Sequence, residues 1–130
     1  MKRAKRRREE GQAIVEAAYV IPLLIVVLCG IIDFGWIFSN QLMVNNCSRE
    51  GARYAAVHTG ETGFVELVTQ RVKKTAGIGS PEDLTVNVEI VDGDVQVTVS
   101  RTLRVLTPLA GVFTQDQTVT LTSKSVMRIE

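Results

Sequence analysis

The sequence predicts an α+β protein in which one long N-terminal helix is followed by a small head built on a three-stranded antiparallel sheet. Residues 13–38 are apolar almost without interruption, and a run of this length is typical of a membrane-spanning helix. From residue 84 onward, apolar and polar residues alternate, which is typical of half-buried strands. A chain of 130 residues leaves room for one modest core beyond the helix. This length excludes a large enzyme with a cleft between two domains.

The basic residues are concentrated at the N-terminus. The whole chain has a net charge of +1, yet six of its 15 Lys and Arg residues lie in the first eight positions. Residues 12–130 carry nine basic and twelve acidic residues, which argues against a nucleic-acid-binding surface. After the apolar run, the next Lys or Arg is Arg49. The positive-inside rule therefore predicts a cytoplasmic N-terminus and a C-terminal head on the other side of the membrane.

The membrane segment is predicted to remain in the mature protein. Its uncharged part, residues 17–32, has sixteen residues and would span roughly 24 Å as a helix, close to a hydrocarbon thickness of about 30 Å. A cleaved secretory signal is the alternative, but Trp-Ile-Phe-Ser-Asn at 36–40 lacks the small-x-small site at which such signals are cut. Pro22 lies inside the segment and predicts a bend, because proline cannot donate a backbone hydrogen bond.

A glycine and a carboxylate stand together at the start of the membrane segment. Residues 11–16 read GQAIVE, which resembles the processing site of type IV prepilins, where a membrane-embedded peptidase cuts after the glycine. The resemblance implies cleavage between Gly11 and Gln12. The new ammonium group would lie one helical turn before Glu16 and would compensate its carboxylate, whose burial in lipid is costly. A neighbouring subunit could supply the same group.

Glu16 and Asp33 also allow a simpler interpretation. The two acids are 17 residues apart, which is about 25 Å along a helix, so they could lie at the two headgroup layers of a plain anchor. We assign Asp33 to this boundary role. For Glu16, the preceding Gly11 and the basic leader favour the prepilin-like role in assembly.

Three further motifs make a family resemblance specific. They are Pro22-Leu23-Leu24, Asp33-Phe34-Gly35 and Arg49-Glu50-Gly51-Ala52-Arg53-Tyr54. Together with Gly11 and Glu16, they resemble the N-terminal signature of TadE-like proteins, which are small pilin-related subunits of the tight-adherence (Flp pilus) system. The resemblance covers residues 11–57, and it implies that the sheet belongs to a type IV pilin-like head.

The same resemblance implies a function and a location. The protein would be a minor pilin or pseudopilin, a structural subunit without catalytic activity that serves assembly of an adhesive pilus. Its implied partners are the membrane, a prepilin peptidase, other pilin-like subunits and the pilus assembly machinery, with no nucleic acid and no small-molecule substrate. It would be a single-pass protein of the cytoplasmic (inner) membrane, and after processing it would reach the cell surface or the pilus. The alternative is a permanently anchored accessory domain whose head binds another envelope or secretion-system protein.

The expected organisation has four parts: a basic leader at 1–11, a transmembrane helix at 12–38, a helix extension at 39–57 and a small α+β head at 58–130. Within the head, residues 63–76 have the spacing of a short amphipathic helix. Asp92-Gly93 separates two alternating runs and predicts a two-residue hairpin turn. A third strand follows at the C-terminal end.

The sequence predicts no catalytic, metal or cofactor site. The one histidine, His58, has no Cys or His at ligand spacing. Cys29 and Cys47 are 18 residues apart, about 27 Å on one continuous helix, so they cannot form a disulfide within the chain. Cys47 lies on the oxidising side of the membrane, where two outcomes stay open: a bridge to a thiol of a partner, or an inert thiol.

Overall fold

The computed structural model describes residues 2–77, 83–107 and 117–129, with side chains from residue 11 onward. The side chains of the predicted basic leader at 2–10 lie outside this part. The elements are the helices α1 (Lys2–His58) and α2 (Phe64–Ala76) and the strands β1 (Leu84–Val91), β2 (Asp94–Arg104) and β3 (Thr118–Arg128). The predicted fold, a long apolar N-terminal helix followed by a three-stranded antiparallel sheet, is confirmed.

Helix α1 has 57 residues, which corresponds to about 85 Å at 1.5 Å per residue. The sequence predicted a helix from residue 12, whereas α1 already begins at Lys2. The reason is that the leader consists mainly of Lys, Arg and Glu, which are good helix formers, and one glycine at position 11 costs only about 1 kcal/mol. Pro22 lies inside α1, and the helix continues on both sides of it.

The sheet has the strand order β1-β2-β3, and both neighbouring pairs are antiparallel. The predicted turn between β1 and β2 is confirmed, because Val91 pairs with Asp94 across it. Asp92 and Gly93 have φ angles of 53° and 84°. Two successive left-handed residues are the requirement of a type I′ turn, whose twist matches that of the strands.

One face of the sheet carries the apolar residues, as the alternation predicted. The buried side chains of β2 occupy every second position: Val95, Val97, Val99, Arg101 and Leu103. Leu84 of β1 and Leu121 of β3 are buried on the same face. Ile90 and Met127 keep 53% and 42% of their surface exposed, since they lie on the outer strands close to the hairpin. The core is therefore centred on β2.

The two helices cover this apolar face. Helix α1 packs on β2 and β3, and α2 packs on α1 and β1. The helical side chains of the common core are Val44, Cys47, Ala52, Ala55, Phe64, Val68 and Val72. An ion pair of 2.9 Å between Arg71 Nη2 and Glu50 Oε1 also links α2 to α1 at the surface.

Gly51 of α1 allows the closest approach in this core. A Cβ atom at position 51 would lie 2.7 Å from Val72 Cγ2 and 3.1 Å from Val97 Cγ1. Both valines are fully buried and β-branched, so neither can rotate away freely. The absence of a side chain at Gly51 is therefore what lets α2 and β2 meet against α1.

We expect Gly51→Leu to destabilise the head by about 3 kcal/mol or more, because overpacking of a dense core forces its neighbours apart. Thermal unfolding of the full chain in detergent, followed by circular dichroism in the strand region, measures the effect. Gly35→Leu is the matched control, since Gly35 is also helical and an added Cβ there has no atom within 4 Å. Equal unfolding temperatures for the two variants would contradict the proposed packing.

Candidate membrane and assembly site

The first half of α1 presents apolar side chains on its whole circumference. Between Ile14 and Phe38, most large apolar residues are half or more exposed; Leu23 and Phe34, for example, are 66% and 71% exposed. An apolar surface of this size is not stable in water and marks a contact with lipid or protein. The helical stretch Gly11–His58 is long and apolar enough to cross a membrane. It is a candidate membrane anchor.

Gly11 and Gln12 lie on exposed helix at the start of this stretch. A Cβ atom at Gly11 would have no neighbour within 4 Å, so the packing of the chain does not require glycine there. Glycine inside a helix costs about 1 kcal/mol relative to alanine. The structure thus gives no internal reason for glycine at this position, and its predicted processing role remains a prediction.

The side chain of Glu16 is exposed on the apolar helix, one turn after Gln12. Within the part of the chain whose side chains are described, it has no hydrogen-bond or ion-pair partner. A carboxylate at this depth needs compensation, because charges are costly near the membrane interior. The described residues of the head do not supply it, since they pack on α1 from Asp33 onward.

Asp33, which we predicted to lie at the membrane boundary, also contacts the head. Its side chain is 7% exposed and accepts two hydrogen bonds from Thr107, which follows β2. The backbone N–H of Thr107 donates to Asp33 Oδ1 at 3.1 Å, and the Thr107 hydroxyl donates to Asp33 Oδ2. The carboxylate therefore joins the membrane end of the head to α1. Sequence reasoning missed this role because the two residues are 74 positions apart.

The Asp33 contact also shows where the head begins to cover the helix. Ile37, one turn later, packs against the head core. The head thus reaches back over the last turns of the predicted membrane segment at 12–38. Its base lies at the same level as the end of the uncharged run at 17–32.

Cys47 is fully buried in the core between α1 and the sheet. Burial raises the pKa of its thiol, and the positive charge of Arg101 offsets part of that rise. A protonated, inaccessible thiol is unreactive. Of the two outcomes left open above, the structure argues against a bridge to a partner and favours the inert thiol.

A cluster of three hydroxyl groups lies beside Cys47 and was not predicted. Ser48 is fully buried and donates to the backbone carbonyl of Asn45 at 3.0 Å. Its one proton is then used, so Ser123 and Ser125 of β3 donate to the Ser48 oxygen at 2.9 and 3.0 Å. These contacts fix β3 against α1. The sequence did contain a signal for this cluster, because Ser123 and Ser125 occupy inward-facing positions of β3 at which the alternation predicts apolar residues.

The residues described contain no group of three or more His, Cys, Asp or Glu that could hold a metal ion. His58 stacks on Tyr54 with 4.0 Å between ring centroids, and its Nδ1 lies 2.9 Å from the Tyr54 carbonyl oxygen. Both contacts of His58 therefore lie within the last turn of α1.

The geometry defines a class of protein. Its members have a long apolar helix that can span a membrane and a small α+β head that packs on the second half of this helix. A protein-family model described as TadE-like protein matches residues 11–53 of the chain. The resemblance inferred from the motifs is thereby confirmed over these residues. No curated protein and no solved structure matches the chain.

We expect Asp33→Ala to lower the stability of the head by about 1–2 kcal/mol, because it leaves the two partly buried donors of Thr107 without this acceptor. Hydrogen exchange of the Thr107 amide in the full chain should become faster. Glu16→Ala is the control at the other end of the membrane segment, and it should change neither value because no described residue of the head contacts Glu16. Unchanged exchange at Thr107 in Asp33→Ala would show that the carboxylate is a boundary charge after all.

Proposed function

We propose that the chain is a minor pilin or pseudopilin of a tight-adherence pilus, a non-catalytic subunit that acts by assembly. The observation that carries the proposal is the TadE-like match over residues 11–53, which lies on one unbroken helix. This segment includes the glycine, the carboxylate, the apolar span and three helical residues of the head core, Val44, Cys47 and Ala52. In the proposed arrangement, α1 crosses the cytoplasmic membrane with its N-terminus inside and its head outside.

The proposed maturation step is cleavage between Gly11 and Gln12 by a prepilin peptidase. The bond lies inside α1, and a peptidase must unwind a helix locally to reach a peptide bond. Glycine lowers that cost by about 1 kcal/mol relative to alanine, since it is a poor helix former. No neighbouring atom of the chain requires glycine at position 11. This is consistent with a glycine that is required by the binding site of the peptidase.

The proposed assembly contact is an ion pair between Glu16 and the new ammonium group of Gln12. Glu16 has no partner among the described side chains, and the exposed apolar helix around it must pack against lipid or other helices. In a bundle of staggered subunits, the ammonium group of one chain would face the carboxylate of the next. An ion pair in a low-dielectric environment contributes to register more than to affinity.

We expect Gly11→Leu to block maturation, because a peptidase site shaped for glycine has no room for an isobutyl group. Mass spectrometry of protein from cells that express the peptidase should find the parent starting at Gln12 and the variant with residues 1–11 retained. Gly30→Leu, at another helical glycine with open surroundings, should mature like the parent. An intact leader in the parent would instead favour the permanently anchored accessory domain.

We expect Glu16→Ala to be processed and inserted but to enter pilus complexes poorly, because its loss leaves the partner ammonium without a counter-ion in the membrane. Crosslinking followed by purification of the assembled complexes measures incorporation relative to the parent. Glu66→Ala is the control, since it removes an exposed carboxylate of α2. If Glu16→Ala is incorporated as well as the parent, Glu16 is a boundary charge without a role in assembly.

A further inference from the structure

Arg101 is a buried cation on the inner face of the sheet. Its residue is 7% exposed, Nη1 lies 3.5 Å from Met43 Sδ, and Nε has no hydrogen-bond partner. No carboxylate of the described residues forms an ion pair with it. A guanidinium stays charged at all physiological pH values. A buried charge without a counter-ion is costly, so the arrangement calls for an anion that the described chain does not supply.

Arg101 lines a recess of about 450 Å³ between α1 and the C-terminal end of α2. The α1 side of this recess is formed by Trp36, Ser39, Asn40 and Met43. Ser39 and Asn40 provide polar groups, and the Asn40 Nδ2 already donates to the Trp36 carbonyl oxygen at 2.8 Å. Trp36 and Met43 provide apolar surface. A charged donor, neutral polar groups and an apolar wall thus converge on one cavity.

The level of the recess along α1 indicates what the anion is. Trp36 and Asn40 follow Asp33 by three and seven residues, or about 4.5 and 10.5 Å along the helix. The headgroup layer of a bilayer is roughly 5–8 Å thick on each side. Because the uncharged apolar run ends just before Asp33, Trp36 lies in this layer, and the rest of the recess extends outward from it. Tryptophan is enriched there.

We propose that this recess binds the phosphate group of an anionic phospholipid. Arg101 donates hydrogen bonds to the phosphate oxygens, as guanidinium groups do in bidentate phosphate contacts. Trp36 contacts the glycerol and the upper acyl chain, and Met43 lies beside the guanidinium that binds the phosphate. Free inorganic phosphate has the same chemistry, but the position at the membrane surface selects the lipid. The proposal requires that α1 spans a membrane, and it is independent of leader cleavage and of pilus assembly.

Trp36 is the only tryptophan of the chain, so its fluorescence reports on the recess directly. The full chain is reconstituted in bilayers of phosphatidylcholine with a minor fraction of phosphatidylglycerol. The two lipids are brominated one at a time, and the quenching of Trp36 fluorescence by each is compared. In the parent, we expect the fraction of phosphatidylglycerol next to Trp36 to be about tenfold higher than in the surrounding bilayer. This factor corresponds to the lower end of the free-energy range for a hydrogen bond to a charged group. Arg101→Gln should lose this preference. Arg104→Gln should keep it, because Arg104 is exposed on the opposite face of β2.

Thermal unfolding separates loss of binding from loss of folding. In phosphatidylcholine alone, Arg101→Met should unfold at or above the temperature of the parent, because it removes a buried charge that no described carboxylate compensates. Added phosphatidylglycerol should raise the unfolding temperature of the parent and leave that of Arg101→Met unchanged. Unfolding of Arg101→Met well below the parent in phosphatidylcholine would contradict an uncompensated Arg101.

Three results would overturn the proposal. If Arg101→Gln and Arg104→Gln lose the lipid preference equally, the preference is caused by the general surface charge and not by the recess. Stabilisation by inorganic phosphate equal to that by phosphatidylglycerol would make the recess a site for free anions. No preference for phosphatidylglycerol over phosphatidylcholine at Trp36 in the parent would show that the recess does not bind an anionic phospholipid.

Discussion

The packing of the sheet on one face of α1 is the contact on which the rest of the molecule depends. In the part of the head that the structure describes, α2 adds 13 residues of helix, and α1 provides most of the surface that covers the strands. Small residues make this possible: Gly51, Ala52 and Ala55 are buried where the sheet approaches most closely. The same helix is thus a component of the head core in its second half and an exposed apolar rod in its first half.

Two polar contacts fix the sheet on the helix. Asp33 holds the membrane end of the head through Thr107, and Ser48 holds β3 through two serine hydroxyls. Apolar contacts alone tolerate sliding, whereas buried polar groups are costly unless their partners are in place. These contacts therefore define how far the head extends toward the membrane. A processed subunit would carry its head at a constant height above the membrane, which a regular assembly requires.

The elements of this fold were predictable from local patterns, and its polar contacts were not. The apolar run, the alternation in β2 and the Asp92-Gly93 turn each depend on neighbouring residues, and all three are confirmed. Arg101 interrupts the alternation of β2 as a buried charge, and the pattern alone does not show what surrounds it. The partners of Asp33 and Ser48 lie more than 70 positions away, so only the tertiary structure brings them together. Cys47 is similar, because its burial depends on the sheet that covers it.

We expect α1 to change from a lipid-facing to a head-bearing helix near Asp33. Nitroxide labels at Leu28, Phe38 and Leu42, whose side chains are 50%, 55% and 48% exposed, test it in the reconstituted full chain by electron paramagnetic resonance. The account predicts that oxygen, which dissolves in lipid, relaxes the label at 28, and that a water-soluble nickel chelate relaxes the label at 42. The label at 38 should lie between them. Free access of the chelate to the label at 28 would contradict the account, because α1 would then not cross the membrane there.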